Sequence, residues 1–351
     1  MKNIAIWCFV LVASGVAIAS VVDVNGNPTS AVVSNGKISV GVGSIRTPQL
    51  SRLGEFDFGG AIDSFKIDGV EMLNQSDAGR VWQHSLFFAN HGLAYSYDQN
   101  ACEVSGEHNS QVNPQEAGDD LSRPKAIVYY KDQRTAHIVT KQVPSWASTA
   151  LYPEGLELQS IIRVGPLPYA PYQEIVELEY ATVNRNQSNP LCPARSAILI
   201  KNATTEKRIK APFVPAIYFD YNRFSELWGL NEAGQWSGPL PVYTAAMVEF
   251  DPSQYRYRAM AWCQSGGTRC VGIYSKSAWD NSRNAGGYAG FNFAAENYPN
   301  VMPGTQTRSL KVLDYTPVLL PGQEHRRKVF AMTGDLAKLK EMVSTLVAQG
   351  L

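Results

Sequence analysis

Apolar and polar residues alternate with a period of two through most of this chain, a pattern that suits half-buried β-strands and little else. Ile38, Val40 and Val42 alternate with small or polar residues. Residues 64–67, Asp68-Gly69 and residues 70–73 read as a tight hairpin, because Asp-Gly tolerates the positive φ of a type I′ turn. Residues 126–130 and 137–140 form a second candidate pair around Asp132-Gln133. Long strands are expected at 156–164 and 175–183, and further ones at 271–274, 310–315 and 328–332. Clusters of Gly, Pro, Asn and Asp separate these runs. The proline-bearing stretches 144–153 and 166–171 read as loops, not as domain boundaries. One segment has a helical period instead: Leu336, Leu339, Val343, Leu346 and Val347 form an apolar stripe behind Asp335, a capping residue. The chain is therefore expected to be mostly β, a large antiparallel β-sandwich with a C-terminal helix.

The first residues have a different grammar. Lys2 is followed by an apolar run from Ile4 to Val12, and Ala17-Ile18-Ala19 has the small-x-small form of a cleavage site. Residues 1–19 thus read as a secretory signal peptide, with residues 20–351 as one β-sandwich domain in a secreted or periplasmic protein. The apolar run is shorter than the roughly 20 residues that a spanning helix needs, so no membrane span is expected after processing. Charge excludes another class. The 31 basic residues balance the 31 acidic ones, which leaves no field for a nucleic-acid backbone. Of five cysteines, Cys8 lies in the leader, and the remaining four suggest disulfides in an exported chain. Cys263 and Cys270 flank a turn-rich segment that would close a hairpin, and Cys102 and Cys192 pair by default. No CxxC spacing occurs and no His is near a cysteine, so neither a metal nor another cofactor is implied.

Three segments carry candidate chemistry. In residues 77–88, a regular strand would put Arg80, Trp82 and His84 on one face. A ring that stacks on a pyranose beside fixed polar groups is how sugars are held; the alternative is a buried strand end, with Arg80 paired to Asp77. In the long polar stretch 105–122, Asn113, Glu116 and Asp119 could line a site, with Glu116 and Asp119 as a general acid and base pair. The alternative is solvated loop carboxylates. In 218–238, Tyr218, Tyr221, Phe224, Trp228 and Trp236 crowd together, either as stacking platforms or as the packing of a structured loop. Sequons occur at Asn74, Asn186 and Asn202. No G-x-S-x-G elbow, phosphate-binding Gly loop or H-E-x-x-H motif is present.

Several short motifs resemble galactose mutarotase-like domains. They are Asn35-Gly36-Lys37 opening a strand, Gly59-Gly60-Ala61-Ile62 before Ser64-Phe65, the Asp-Gly hairpin, and Gly79-Arg80 leading a strand. Asn113-Pro114-Gln115-Glu116-Ala117-Gly118-Asp119 is similar to an Asn-Pro-x-x-Ala-Gly-Asp loop of secreted bacterial members; residues 213–218 and 236–238 also fit. The resemblance implies a supersandwich with a concave sugar-binding face. It implies sugar chemistry of several kinds: aldose epimerases, with a His acid and a Glu base, and domains of polysaccharide lyases and glycoside hydrolases. His84, His108 and His137 all compete for the histidine role. The expectation is a carbohydrate-active protein binding an oligosaccharide or polysaccharide, of glycoside hydrolase or polysaccharide lyase type. On that reading His84 and Glu116 are acid and base, and Arg80, Trp82, Asn113, Asp119, Trp228 and Trp236 bind substrate. The alternatives are a non-catalytic carbohydrate-binding module, an epimerase-like isomerase and a structural surface protein.

Overall fold

A computed structural model describes residues 31–42, 57–58, 61–74, 82–88, 97–98, 103–104, 106–109, 111–112, 125–141, 156–184, 199–200, 213–241, 247–250, 257–277, 279–280, 293–298, 307–312 and 324–351. Residues 1–19, the expected leader, and Arg80, Cys102, Asn113, Glu116, Asp119 and Cys192 lie outside the described residues.

Two large sheets account for most of these residues. The first has ten strands, in the spatial order Ala31–Ser34, Ile38–Val42, Ile62–Ile67, Trp82–Phe88, Phe213–Asp220, Thr307–Val312, Phe293–Tyr298 and Met247–Phe250; Val70–Glu71 and Gly106–Asn109 pair beside this path. The second has nine, in the order Lys125–Asp132, Thr135–Lys141, Leu156–Val164, Ile175–Asn184, Glu324–Gly334, Cys270–Tyr274, Tyr257–Cys263, Glu226–Asn231 and Trp236–Ser237. All pairings within these two sheets are antiparallel. The expected Asp68-Gly69 turn forms, with φ of 50° and 79° at its two residues, and joins Ile62–Ile67 to Val70–Glu71.

The sheets pack face to face. Val40, Phe65, Trp82, Ile217 and Leu310 of the first meet Leu158, Leu178, Met260, Ile273 and Val329 of the second in one apolar core. Side chains two apart share a face, so the residues between these project from the outer side of the nine-stranded sheet. Part of that outer side is roofed by the C-terminal helix, Leu336–Ala348. Leu339, Met342, Val343 and Leu346 bury against Tyr274, Phe330 and Met332. Met342 takes the place in the stripe expected of Val347, which is 38% exposed. The Asp335 carboxylate caps the helix by accepting from the Lys338 amide at 2.7 Å. A Cβ on Gly272 would come within 2.5 Å of Leu339 Cδ2, so a glycine there lets the helix sit close to the sheet. Cys263 and Cys270 face each other in register and form the expected disulfide.

One sequence expectation is corrected by burial. Trp82 is 1% exposed and sits edge-on to Phe65, with ring centroids 5.6 Å apart, in the inter-sheet core. Such a ring has no open face for a pyranose. The face of the strand that carries Trp82 is the inner one. Asn74 is 2% exposed and its amide N–H donates to the Tyr218 carbonyl, so this sequon is not displayed to a glycosylating enzyme.

Candidate functional site

The roof formed by the helix ends partway across the nine-stranded sheet, and polar residues take over from there. The change is visible along single strands. On Glu324–Gly334, Met332 and Phe330 lie under the helix, and Lys328, Arg326 and Glu324 follow at the same period. On Ile175–Asn184, Ile175 is under the helix, followed by Glu177 and Glu179. Leu156–Val164 contributes Glu157, Gln159 and Arg163, and Thr135–Lys141 contributes His137. Register brings them together: Arg163 is opposite Glu177, Glu179 is opposite Lys328, and His137 is opposite Ile161, next to Gln159.

These side chains form two linked sets. In the first, Arg163 Nη1 donates to Glu177 Oε1 and, at 3.1 Å, to Glu179 Oε2. Arg326 donates from Nη1 to Glu179 Oε1 at 3.0 Å, and its Nε and Nη2 grip both oxygens of Glu324 at 2.6 and 2.9 Å. Lys328 Nζ lies 3.6 Å from Glu177 Oε1 and over the Tyr169 ring. Glu177 is fully buried, an expensive place for a carboxylate unless cations attend it, as Arg163 and Lys328 do. Burial would raise the pKa of Glu179, but its bonds to Arg163 and Arg326 outweigh that and hold it below the ordinary value.

The second set is a relay. Gln159 Nε2 donates to Glu157 Oε1 at 2.6 Å, which leaves its amide oxygen to accept from the His137 imidazole. Burial, helped by the positive charge of Arg326, lowers the His137 pKa against the opposing influence of Gln159 and the carboxylates of Glu157 and Glu179. The imidazole is therefore neutral at pH 7 and able to take a proton. An imidazole held by an amide, itself anchored to a carboxylate, is an orienting arrangement suited to acid–base work.

Of the residues singled out in the sequence, those whose side chains are described lie elsewhere. Trp82 is in the core. His84 lies on its strand opposite Pro215, and its side chain is outside the described residues. Trp228 and Trp236 pack on the helix side of the nine-stranded sheet. The Trp236 indole N–H donates to the Leu336 carbonyl at 2.7 Å, and that of Trp228 to Glu226 at 3.2 Å. Tyr218 is buried, and Phe224 packs against Phe219 in the inter-sheet core. Tyr218 and Phe224 are thus part of the packing, while Trp228 and Trp236 remain partly exposed. Of the competing histidines, His137 is the one whose side chain is described, and it lies in a polar network. A signal for it exists in the sequence: Glu157, Gln159 and Arg163, with Glu177 and Glu179, place polar groups on one face of strands whose other face is mostly apolar, with Leu158, Ile162, Val164, Val176 and Leu178.

No protein-family model matches this chain, and no curated protein matches it in sequence. Similar solved structures do exist. One is a putative aldose 1-epimerase from Escherichia coli K12, 12% identical with a TM-score of 0.45 over 88% of this chain and 100% of that one. Another is a galactose mutarotase-like protein from Lactobacillus casei ATCC 334, 9% identical with a TM-score of 0.46 over 87% of this chain and 100% of that one. A heparan sulfate lyase from Pedobacter heparinus is 7% identical with a TM-score of 0.35 over 89% of this chain and 36% of that one. Likeness at this level says nothing about the reaction, for which the side chains are the guide. Among the described residues no helix is long and apolar enough to cross a membrane, and no cluster has the make-up of a metal site.

Proposed function

We propose that this chain binds a neutral carbohydrate on the polar face of its nine-stranded sheet and acts on it, with His137 as the proton-transfer group. The observation that carries this reading is the His137–Gln159–Glu157 relay beside the Arg163, Glu177, Glu179 and Arg326 network. A sugar presents several hydroxyls, each a donor and an acceptor. Planar carboxylate, amide and guanidinium groups fixed on a rigid sheet suit such a ligand. The charge balance favours a neutral one. Arg163, Arg326 and Lys328 are already committed to Glu177, Glu179 and Glu324, so no cation of this set is spare for a uronate.

The first reading of the chemistry is cleavage of a glycosidic bond in an oligosaccharide or polysaccharide, with His137 moving a proton and a neighbouring carboxylate as its partner. The leader at residues 1–19 supports export to a compartment where such glycans occur. The second reading is isomerisation at the anomeric carbon, which the motif resemblance implies. It is favoured by one specific feature, the neutral imidazole flanked by Glu157 and Glu179. Both reactions need one group to remove a proton and another to deliver one.

The test is a panel of neutral aldoses and oligosaccharides. New reducing ends mark cleavage, and faster mutarotation by polarimetry marks isomerisation. Either activity should fall by about 100-fold or more in His137→Gln, the usual scale of general acid–base catalysis. An unsaturated uronate product from an acidic polymer, with no action on neutral sugars, would overturn the neutral-substrate reading.

A further inference from the structure

A second concavity, away from the polar face, has a different chemistry. It measures about 620 Å³, within the range of small-molecule sites. The Asp68-Gly69 hairpin, the disulfide-closed turn 264–271 and the start of the C-terminal helix enclose it. Ile67, Met72, Phe224 and Val271 give it apolar walls.

Its charged groups fall into committed and uncommitted sets. Lys37 is held by Glu174 at 2.6 Å. Lys338 lies over the Tyr172 ring at 4.4 Å and reaches Glu341 at 3.3 Å. The Asp335 carboxylate is occupied by the helix cap. The two arginines differ. Arg223 touches Asp220 only at 3.7 Å, and its buried Nε makes no hydrogen bond among the described residues. Arg269 uses its backbone carbonyl to bind the Gln264 amide, while its guanidinium has no hydrogen bond or ion pair among the described residues. A guanidinium fork with free donors is suited to a carboxylate or phosphate. Four cations and three carboxylates line the groove, leaving one net positive charge, which matches a monoanion better than a dianion. Asp68 and Glu174 can accept from ligand hydroxyls, and the apolar walls suit the C–H face of a ring.

We propose that this groove is a separate binding site for a small hydroxylated carboxylate of the uronic-acid class, with Arg223 and Arg269 holding the carboxylate. The site is independent of the polar face and of the reaction proposed there.

Isothermal titration of the processed chain with D-glucuronate, D-glucose and inorganic phosphate tests it. Glucuronate should bind, and its Kd should weaken at least tenfold in both Arg269→Gln and Arg223→Gln. Glucose and phosphate should each bind at least tenfold more weakly than glucuronate to the unaltered protein. Arg269 is exposed, so its variant decides the matter should Arg223→Gln fail to fold. His137→Gln should leave glucuronate affinity unchanged, and Arg269→Gln should leave activity on neutral sugars unchanged, which separates failure of this site from failure of the other. Absence of glucuronate binding, equal affinity in the arginine variants, or equally tight phosphate would each overturn the proposal.

Discussion

Replacing Asp63 by Asn should make the protein more stable at neutral and alkaline pH. Asp63 lies on the Ile62–Ile67 strand of the ten-stranded sheet. Burial is the largest influence on its carboxyl group and, reinforced by the negative charge of Glu71, pushes its pKa up from 3.8 to about 6; its own backbone hydrogen bond and Lys66 oppose the rise. Glu71 does not relieve this, since its oxygens are engaged by the Ser64 hydroxyl at 2.6 Å and by the amides of Phe65, Met72 and Leu73. The sign follows from linkage. The folded state holds the Asp63 proton more tightly than the unfolded chain, so stability falls as pH rises from about 4 to about 6 and stays reduced above that. A shift of this size corresponds to on the order of 3 kcal/mol as an upper bound, at about 1.4 kcal/mol per pH unit. Asp63→Asn removes the ionisation and keeps the shape. In urea unfolding it should gain roughly 1–3 kcal/mol at pH 8 and little at pH 4. A variant less stable than the parent at pH 8 would refute the reasoning and show that the ionised carboxylate makes contacts worth more than its burial costs.

Other outcomes follow from the packing. Trp82→Ala should cost about 3–5 kcal/mol of stability through the cavity it leaves in the core, measured by denaturant unfolding, with no specific loss of sugar affinity at folding temperatures. Opening the Cys263–Cys270 bridge in the double Ser variant should cost about 2.5 kcal/mol in the chain-entropy model for so short a loop, read as a lowered urea midpoint under non-reducing conditions. Asp335→Ala should lose about 1 kcal/mol with the helix cap, visible as earlier loss of far-ultraviolet helical signal on heating.

The features legible in the sequence are those written in neighbouring residues. The Asp68-Gly69 turn, the long strands around 156–164 and 175–183, the Asp335-capped helix and the Cys263–Cys270 bridge each depend on residues within a few positions, and each forms. What the sequence conceals is which side of a strand meets a partner. Alternation separates the two faces of a strand, yet whether Trp82 faces water or the second sheet depends on strands far along the chain. The His137 relay is hidden for the same reason. His137 and Gln159 meet through the register of two strands, and nothing local to His137 distinguishes it from His84 or His108. Trp236 shows the same limit: its indole N–H is taken by a carbonyl a hundred residues later, a contact that its local sequence does not announce.

The most direct test of the central claim is the pH–rate profile of the unaltered protein and of His137→Gln on the neutral sugar that gives the best turnover. Burial disfavours the imidazolium, so the acid limb for the unaltered protein should fall below the ordinary histidine value of 6.5. His137→Gln should lose that limb along with about 100-fold or more in kcat, while its melting temperature stays within a few degrees and sugar affinity within a few-fold. An unchanged kcat and an unchanged acid limb in His137→Gln would contradict the account and move the chemistry off this face of the sheet.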